Sequence, residues 1–140
     1  MGFLDNIFKK KKKMDWVVFP DGGELELDDL VQTVNELKKY QWTHKKWVST
    51  PALIDKSSGS IRQFGVQKFD NKHFDLKEDG WSHDHCEICW ATISEGDNKK
   101  EFEIEGYNFG NSWVCNFCFD NFVNPDNLQD SIKKFKTIKK

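Results

Sequence analysis

Cys86-Glu-Ile-Cys89 and Cys115-Asn-Phe-Cys118 contain every cysteine of this chain, and the 25 residues from Trp90 to Val114 separate the two pairs. Two residues between two cysteines let both sulfurs turn toward one point, and two such pairs supply the four thiolates of a tetrahedral metal site. No cysteine is left over, so Cys86, Cys89, Cys115 and Cys118 are all read as ligands of one zinc ion, the only cofactor expected. Four thiolates close the coordination sphere to water and substrate, which marks a structural rather than a catalytic zinc. His83 and His85 lie beside the first pair, and imidazole also binds zinc, so either is an alternative ligand. A hydrogen bond at the rim of the site or plain exposure is the preferred reading of both. His44 and His73 have no ligand pattern around them and are read as surface or core residues.

Outward from the first pair, Trp90-Ala-Thr-Ile93 reads as a strand and Glu95-Gly-Asp-Asn98 as a turn. Phe102 and Ile104 then alternate with Glu101, Glu103 and Glu105 as a strand with one apolar face. A third short strand reaches Trp113-Val114, and Cys115 to Val123 reads as the start of a helix. Such an order of knuckle, hairpin, second knuckle and helix resembles the treble-clef and zinc-ribbon folds over residues 81–124. The resemblance implies that Cys86 and Cys89 are the knuckle ligands, and that Cys115 and Cys118 are the ligands at the helix N-terminus. The gap between pairs exceeds the ~15 to 20 residues of a common ribbon spacing, which implies a longer hairpin.

Before the zinc module, Trp16 to Phe19 and Glu24-Leu-Glu-Leu27 flank the turn Pro20-Asp-Gly-Gly23 and read as a hairpin. Asp28 is the expected cap of a following helix, with Leu30, Val31, Val34 and Leu37 as one apolar stripe ending near Tyr40. Trp47 to Ile54 is expected as a strand that Pro51 confines to a sheet edge. Ile61, Phe64, Val66 and Phe69 suggest another strand, irregular near Gly65. Asp70 to Gly80 is polar and turn-rich, so the boundary of the zinc module is placed there. After Asn124-Pro125 a C-terminal helix is expected, with Leu128, Ile132 and Phe135 on one face. The fold class is thus α+β. Residues 1–13 form a tail, 14–75 a small α+β unit, and 76–140 the zinc module with its C-terminal helix.

Charge divides unevenly along the chain. Of 21 Lys and Arg, ten lie in Lys9–Lys13 and among Lys133, Lys134, Lys136, Lys139 and Lys140. Between Met14 and Ile132, 11 bases face 22 acids, a net charge of −11. An acidic body opposes phosphate binding, so nucleic acid is not the expected partner. A zinc ribbon that binds nucleic acid through its lysine-rich ends is the alternative.

Phe3, Leu4, Ile7 and Phe8 precede the lysine run at helical spacing, so residues 1–13 are read as a solvated tail or as a weak amphipathic membrane anchor. Met1-Gly2 resembles a myristoylation start, but Asn6 stands where Ser or Thr is wanted. No apolar run approaches the ~20 residues of a membrane helix, and no secretory signal is read. Reduced cysteines then point to the cytoplasm, peripheral contact with the inner membrane face being the second reading.

Paired carboxylates such as Asp28-Asp29, Glu78-Asp79 and the glutamate row at 101–105 are explained by capping, a turn and an exposed strand face. No phosphate loop, nucleophile elbow or His-Glu-x-x-His pattern occurs, so no catalytic residue is expected and the chain is not read as an enzyme. A thioredoxin-type role for Trp113-Val-Cys115-Asn-Phe-Cys118 is an alternative that leaves the first pair unexplained. The favoured function is a zinc-stabilised module that binds a basic protein partner through an acidic body and surface aromatics. The opening Met1-Gly-Phe-Leu-Asp5 and the compact zinc unit are also similar to small bacterial proteins, some of them immunity proteins that neutralise toxins.

Overall fold

The computed structural model describes residues 13–65, 68–95 and 103–140. It is an α+β protein whose strands and helices gather into two compact units. One unit joins the residues up to Tyr40 with Asp120–Lys140, and the other is Gln41–Phe119. The expected tail segment Met1–Lys12, together with Val66 and the span 96–102, lies outside the described residues.

In the first unit, β1 (Asp15–Val18) and β2 (Glu24–Glu26) form the expected hairpin, with Val17 opposite Leu25. Its turn closes through Phe19 N donating to Gly23 O at 2.7 Å, while Asp21 Oδ1 accepts from Gly23 N at 2.8 Å. Gly22 sits at φ 93°, a left-handed conformation that glycine adopts without a Cβ penalty. Helix α1 (Leu27–Leu37) follows β2 directly and buries Leu30, Val34 and Leu37, as the stripe predicts. Burial of each such side chain is worth ~1.5 to 3 kcal/mol. The cap position is Glu26 and not Asp28; the helix starts earlier, and Asp28 and Asp29 fall in its first turn, where negative charge suits the helix dipole.

The C-terminal helix is shorter than expected. α3 (Leu128–Ile132), capped by Asn127 Oδ1 accepting from Asp130 N at 3.1 Å, ends before Phe135. The chain then becomes strand β11 (Lys136–Lys139), which pairs antiparallel with β1, Thr137 opposite Val17, and makes the sheet order β11-β1-β2. The reason is an unpaired ladder edge on β1 and a Lys-Thr-Ile-Lys stretch whose β-branched residues suit a pleated surface. Phe135 instead packs on Phe122 with ring centres 5.2 Å apart, and Phe19 meets both rings.

In the second unit, β3 (Thr43–Lys46), β9 (Glu105–Phe109) and β10 (Ser112–Cys115) form a sheet in the order β10-β9-β3. A further sheet has the order β5-β4-β6, from β4 (Thr50–Asp55), β5 (Ile61–Gln63) and β6 (Phe74–Trp81). Here Pro51 does not confine β4 to an edge. β4 is central, and its register on β6 jumps from Thr50↔Trp81 to Ala52↔Lys77, so residues 78–80 bulge away where proline has no N–H to donate. On its other side Pro51 O accepts from Phe64 N at 3.1 Å. Within Asp70–Gly80, the stretch read as a boundary, residues from Phe74 onward belong to strand β6; its side chains are mostly exposed on both faces, so apolar alternation could not announce it.

Candidate metal centre

Strands β7 (His83–His85) and β8 (Thr92–Ser94) pair antiparallel, with His83 opposite Ser94 and His85 opposite Thr92. The reversal between them carries the first cysteine pair. Cys86 N donates to Ala91 O at 2.9 Å, and Trp90 N donates to Cys86 O at 3.0 Å, which turns Cys86 and Cys89 to one side. Glu87 N donates to Trp113 O at 2.9 Å and thereby ties this knuckle to β10.

β10 delivers the second pair. It pairs with β9 so that Cys115 stands opposite Gly106. A side chain at Gly106 would place its Cβ 2.8 Å from the backbone oxygen of Val114, so the close pairing needs glycine. Cys115 is still extended, and the next residues form the short helix α2 (Asn116–Cys118), which runs into a π-helical turn at Phe119–Val123. Tyr107 on β9 stacks on Phe119 with ring centres 3.5 Å apart. Asn116 Oδ1 is 3.0 Å from His44 Nε2, and Asn116 Nδ2 donates to Glu105 Oε1 at 3.3 Å.

The four sulfurs of Cys86, Cys89, Cys115 and Cys118 all lie within 4.8 Å of one another, and Cys89 Sγ is 3.7 Å from Cys115 Sγ. A tetrahedral zinc with Zn–S bonds of about 2.3 Å sets its sulfurs about 3.8 Å apart, so the donor set fits that ion. The separation is far beyond the about 2.05 Å of a disulfide, and all four cysteines are free. Ile88 N donates to Cys86 Sγ at 3.4 Å and Cys118 N to Cys115 Sγ at 3.4 Å. Such backbone donors orient thiolate ligands and spread their charge.

Hydrogen bonds from Cys115, Cys118 and Cys89 hold the Cys86 thiol far below its ordinary range, whereas contact with Cys115, Cys86 and Cys89, with burial, pushes Cys118 up. A divalent ion held by these four cysteines would offset the repulsion among their thiolates. Glu87 is raised by burial, then by the charges of Cys86 and Asp84.

Among the described residues, these cysteines are the only group of three or more His, Cys, Asp or Glu side chains placed to hold an ion. His83 and His85 are not among them. His85 stacks on Trp90 with ring centres 4.2 Å apart, and its Nδ1 lies 3.2 Å from Trp90 O; His83 Nδ1 is 2.9 Å from Ser82 Oγ. His73 pairs with Asp70 at 2.6 Å on the surface.

The sequence reading missed Asp84. Its Oδ2 accepts from Trp47 Nε1 at 2.9 Å and from Trp81 Nε1 at 3.2 Å, binding the strand before the knuckle to indoles from two other segments. Trp90, expected to open a strand, instead lies in the knuckle turn before β8, with a φ of 66° that favours glycine. The position directly after the second knuckle cysteine was the available signal.

No protein family, curated protein or solved structure matches this chain. No helix among the described residues is long and apolar enough to cross a membrane.

Proposed function

We propose that the chain is a non-catalytic protein whose fold is held by one structural zinc and whose acidic body binds a basic protein partner. The convergence of four sulfurs within 4.8 Å, with spacing suited to a tetrahedral ion, carries this reading. Two cysteines would come from the β7–β8 knuckle and two from the end of β10 and the first turn of α2. The order of knuckle, β9–β10 hairpin and helix start supports the treble-clef likeness.

Four thiolates leave zinc no open position, so the ion's contribution is folding energy, about 10 to 16 kcal/mol in zinc-finger peptides at neutral pH. That is comparable to the whole stability of an ordinary domain, about 5 to 15 kcal/mol. The net −11 between Met14 and Ile132 supports a basic partner, because complementary charge speeds encounter and suppresses acidic competitors.

The test is the metal content of purified protein by plasma mass spectrometry, with titration of free thiols. One zinc per chain, and thiols that react only after chelation, is the expected result. A folded protein that holds no metal and offers four reactive thiols overturns the reading and favours thiol redox chemistry.

A further inference from the structure

Beside the knuckle lies a cleft of about 450 Å³, and Trp81, His83, Asp84, His85, Glu87 and Trp90 are on its walls. Trp90 holds a left-handed backbone conformation, which costs a non-glycine residue of order 1 to 3 kcal/mol unless the surroundings over-determine it. Yet its side chain does little for the core, because the residue is 69% exposed. His85 stacks on one face of the indole at 8° between ring planes, and the remaining ring surface is presented outward. The knuckle turn, through Trp90 N donating to Cys86 O, accounts for that backbone; the exposed ring is what the turn leaves available to a ligand.

The charge of the cleft selects the ligand. Its carboxyl groups are Asp84, which accepts from two indoles, and Glu87, which hydrogen-bonds Ser112, and among the described residues no Lys or Arg forms an ion pair with either. Asp84 also holds the Trp81 indole in place through Nε1. A zinc ion with four thiolates carries a net −2, adding negative charge on the same knuckle. Aromatic faces beside carboxyl groups that no Lys or Arg neutralises favour a cation over a phosphate or a carboxylate.

We propose that this cleft takes a lysine or arginine side chain of the basic partner, packed against Trp90 and paired with Glu87. The proposal rests on the basic-partner reading and names the surface that serves it. Attraction of a cation to an exposed indole is worth about three- to fivefold in affinity.

The experiment uses the zinc-loaded full chain and synthetic hexalysine and hexaarginine peptides, followed by tryptophan fluorescence and by shifts of the indole N–H resonances. Trp90→Gly suits the left-handed backbone, so it should fold and keep its zinc while peptide binding weakens about three- to fivefold. Glu87→Gln should weaken binding similarly, and Glu36→Gln, the same charge loss on α1, should not at matched ionic strength. If the peptides bind but Trp90→Gly and Glu87→Gln match the parent protein, the cleft assignment falls and the basic-partner reading stands. If neither peptide binds the parent chain, both fall. A single-stranded oligothymidine that binds through Trp90 where the peptides do not would overturn the assignment in favour of base stacking.

Discussion

Trp47, only 3% exposed, donates its indole N–H to Oδ2 of Asp84 at 2.9 Å, and the same oxygen accepts from Trp81. One carboxylate therefore satisfies two indoles, and its loss strands a buried donor. Asp84→Ala is expected to destabilise the zinc-loaded protein by about 1 to 3 kcal/mol, the cost of a buried group left unpaired. Asp84→Asn keeps an acceptor oxygen and should cost less. Urea denaturation of the three proteins checks the order; equal midpoints would remove the role given to this contact.

Chelation should unfold the unit Gln41–Phe119, because its buried residues include Cys86, Cys115 and Cys118 and its hairpins converge on the sulfurs. Amide resonances of that unit are expected to collapse on addition of a strong chelator and to return with zinc. Cys115→Ser should hold less than one equivalent of metal. Acidification should also release the ion, since thiolate ligands must be deprotonated. Resonances unchanged by chelation would show that the fold does not depend on the metal.

Gly106→Ala is expected to cost about 1 to 3 kcal/mol, the usual penalty of overpacking. Its new Cβ would meet the Val114 backbone oxygen at 2.8 Å, and a backbone atom cannot swing aside. Because Gly106 stands opposite Cys115, zinc affinity should fall together with thermal stability. A variant that melts like the parent would mean that β9 and β10 pair less closely than the structure has them.

The β4–β5 turn should be acid-sensitive. Asp55 Oδ1 accepts from Ser57 Oγ at 2.7 Å, Ser57 N at 2.8 Å and Ser58 N at 3.2 Å, and these bonds, the Ser57 hydroxyl first, hold its carboxyl below the ordinary value. A depressed carboxyl contributes stability that is present above the unfolded value, near 3.9, and is lost as pH falls through the folded value. A carbon-detected titration should give Asp55 a midpoint below that of ordinary aspartates, and Ser57→Ala should raise it. A midpoint unmoved by Ser57→Ala would assign the depression to another cause.

Much of this was legible along the chain because it is local. The turn Pro20–Gly23, the stripe Leu30, Val34 and Leu37, and the spacing of each cysteine pair depend on residues within a few positions of one another. Strand β3, Thr-His-Lys-Lys, was not legible, since all four of its residues are exposed and it is held by pairing with β9. Pro51 misled for the same reason. Its missing N–H argues for an edge, yet a bulge at residues 78–80 of β6 removes the partner that would have needed that donor.

Residue identity and short spacing are enough to nominate Cys86, Cys89, Cys115 and Cys118 and to divide the charge into basic ends and an acidic middle. The closure of the four sulfurs to within 4.8 Å, the pairing of β11 with β1, and the two indoles on Asp84 come from segments far apart in the chain. Such contacts form only where backbone ladders and buried side chains find partners in space, and the choice of partner is a property of the whole packed chain.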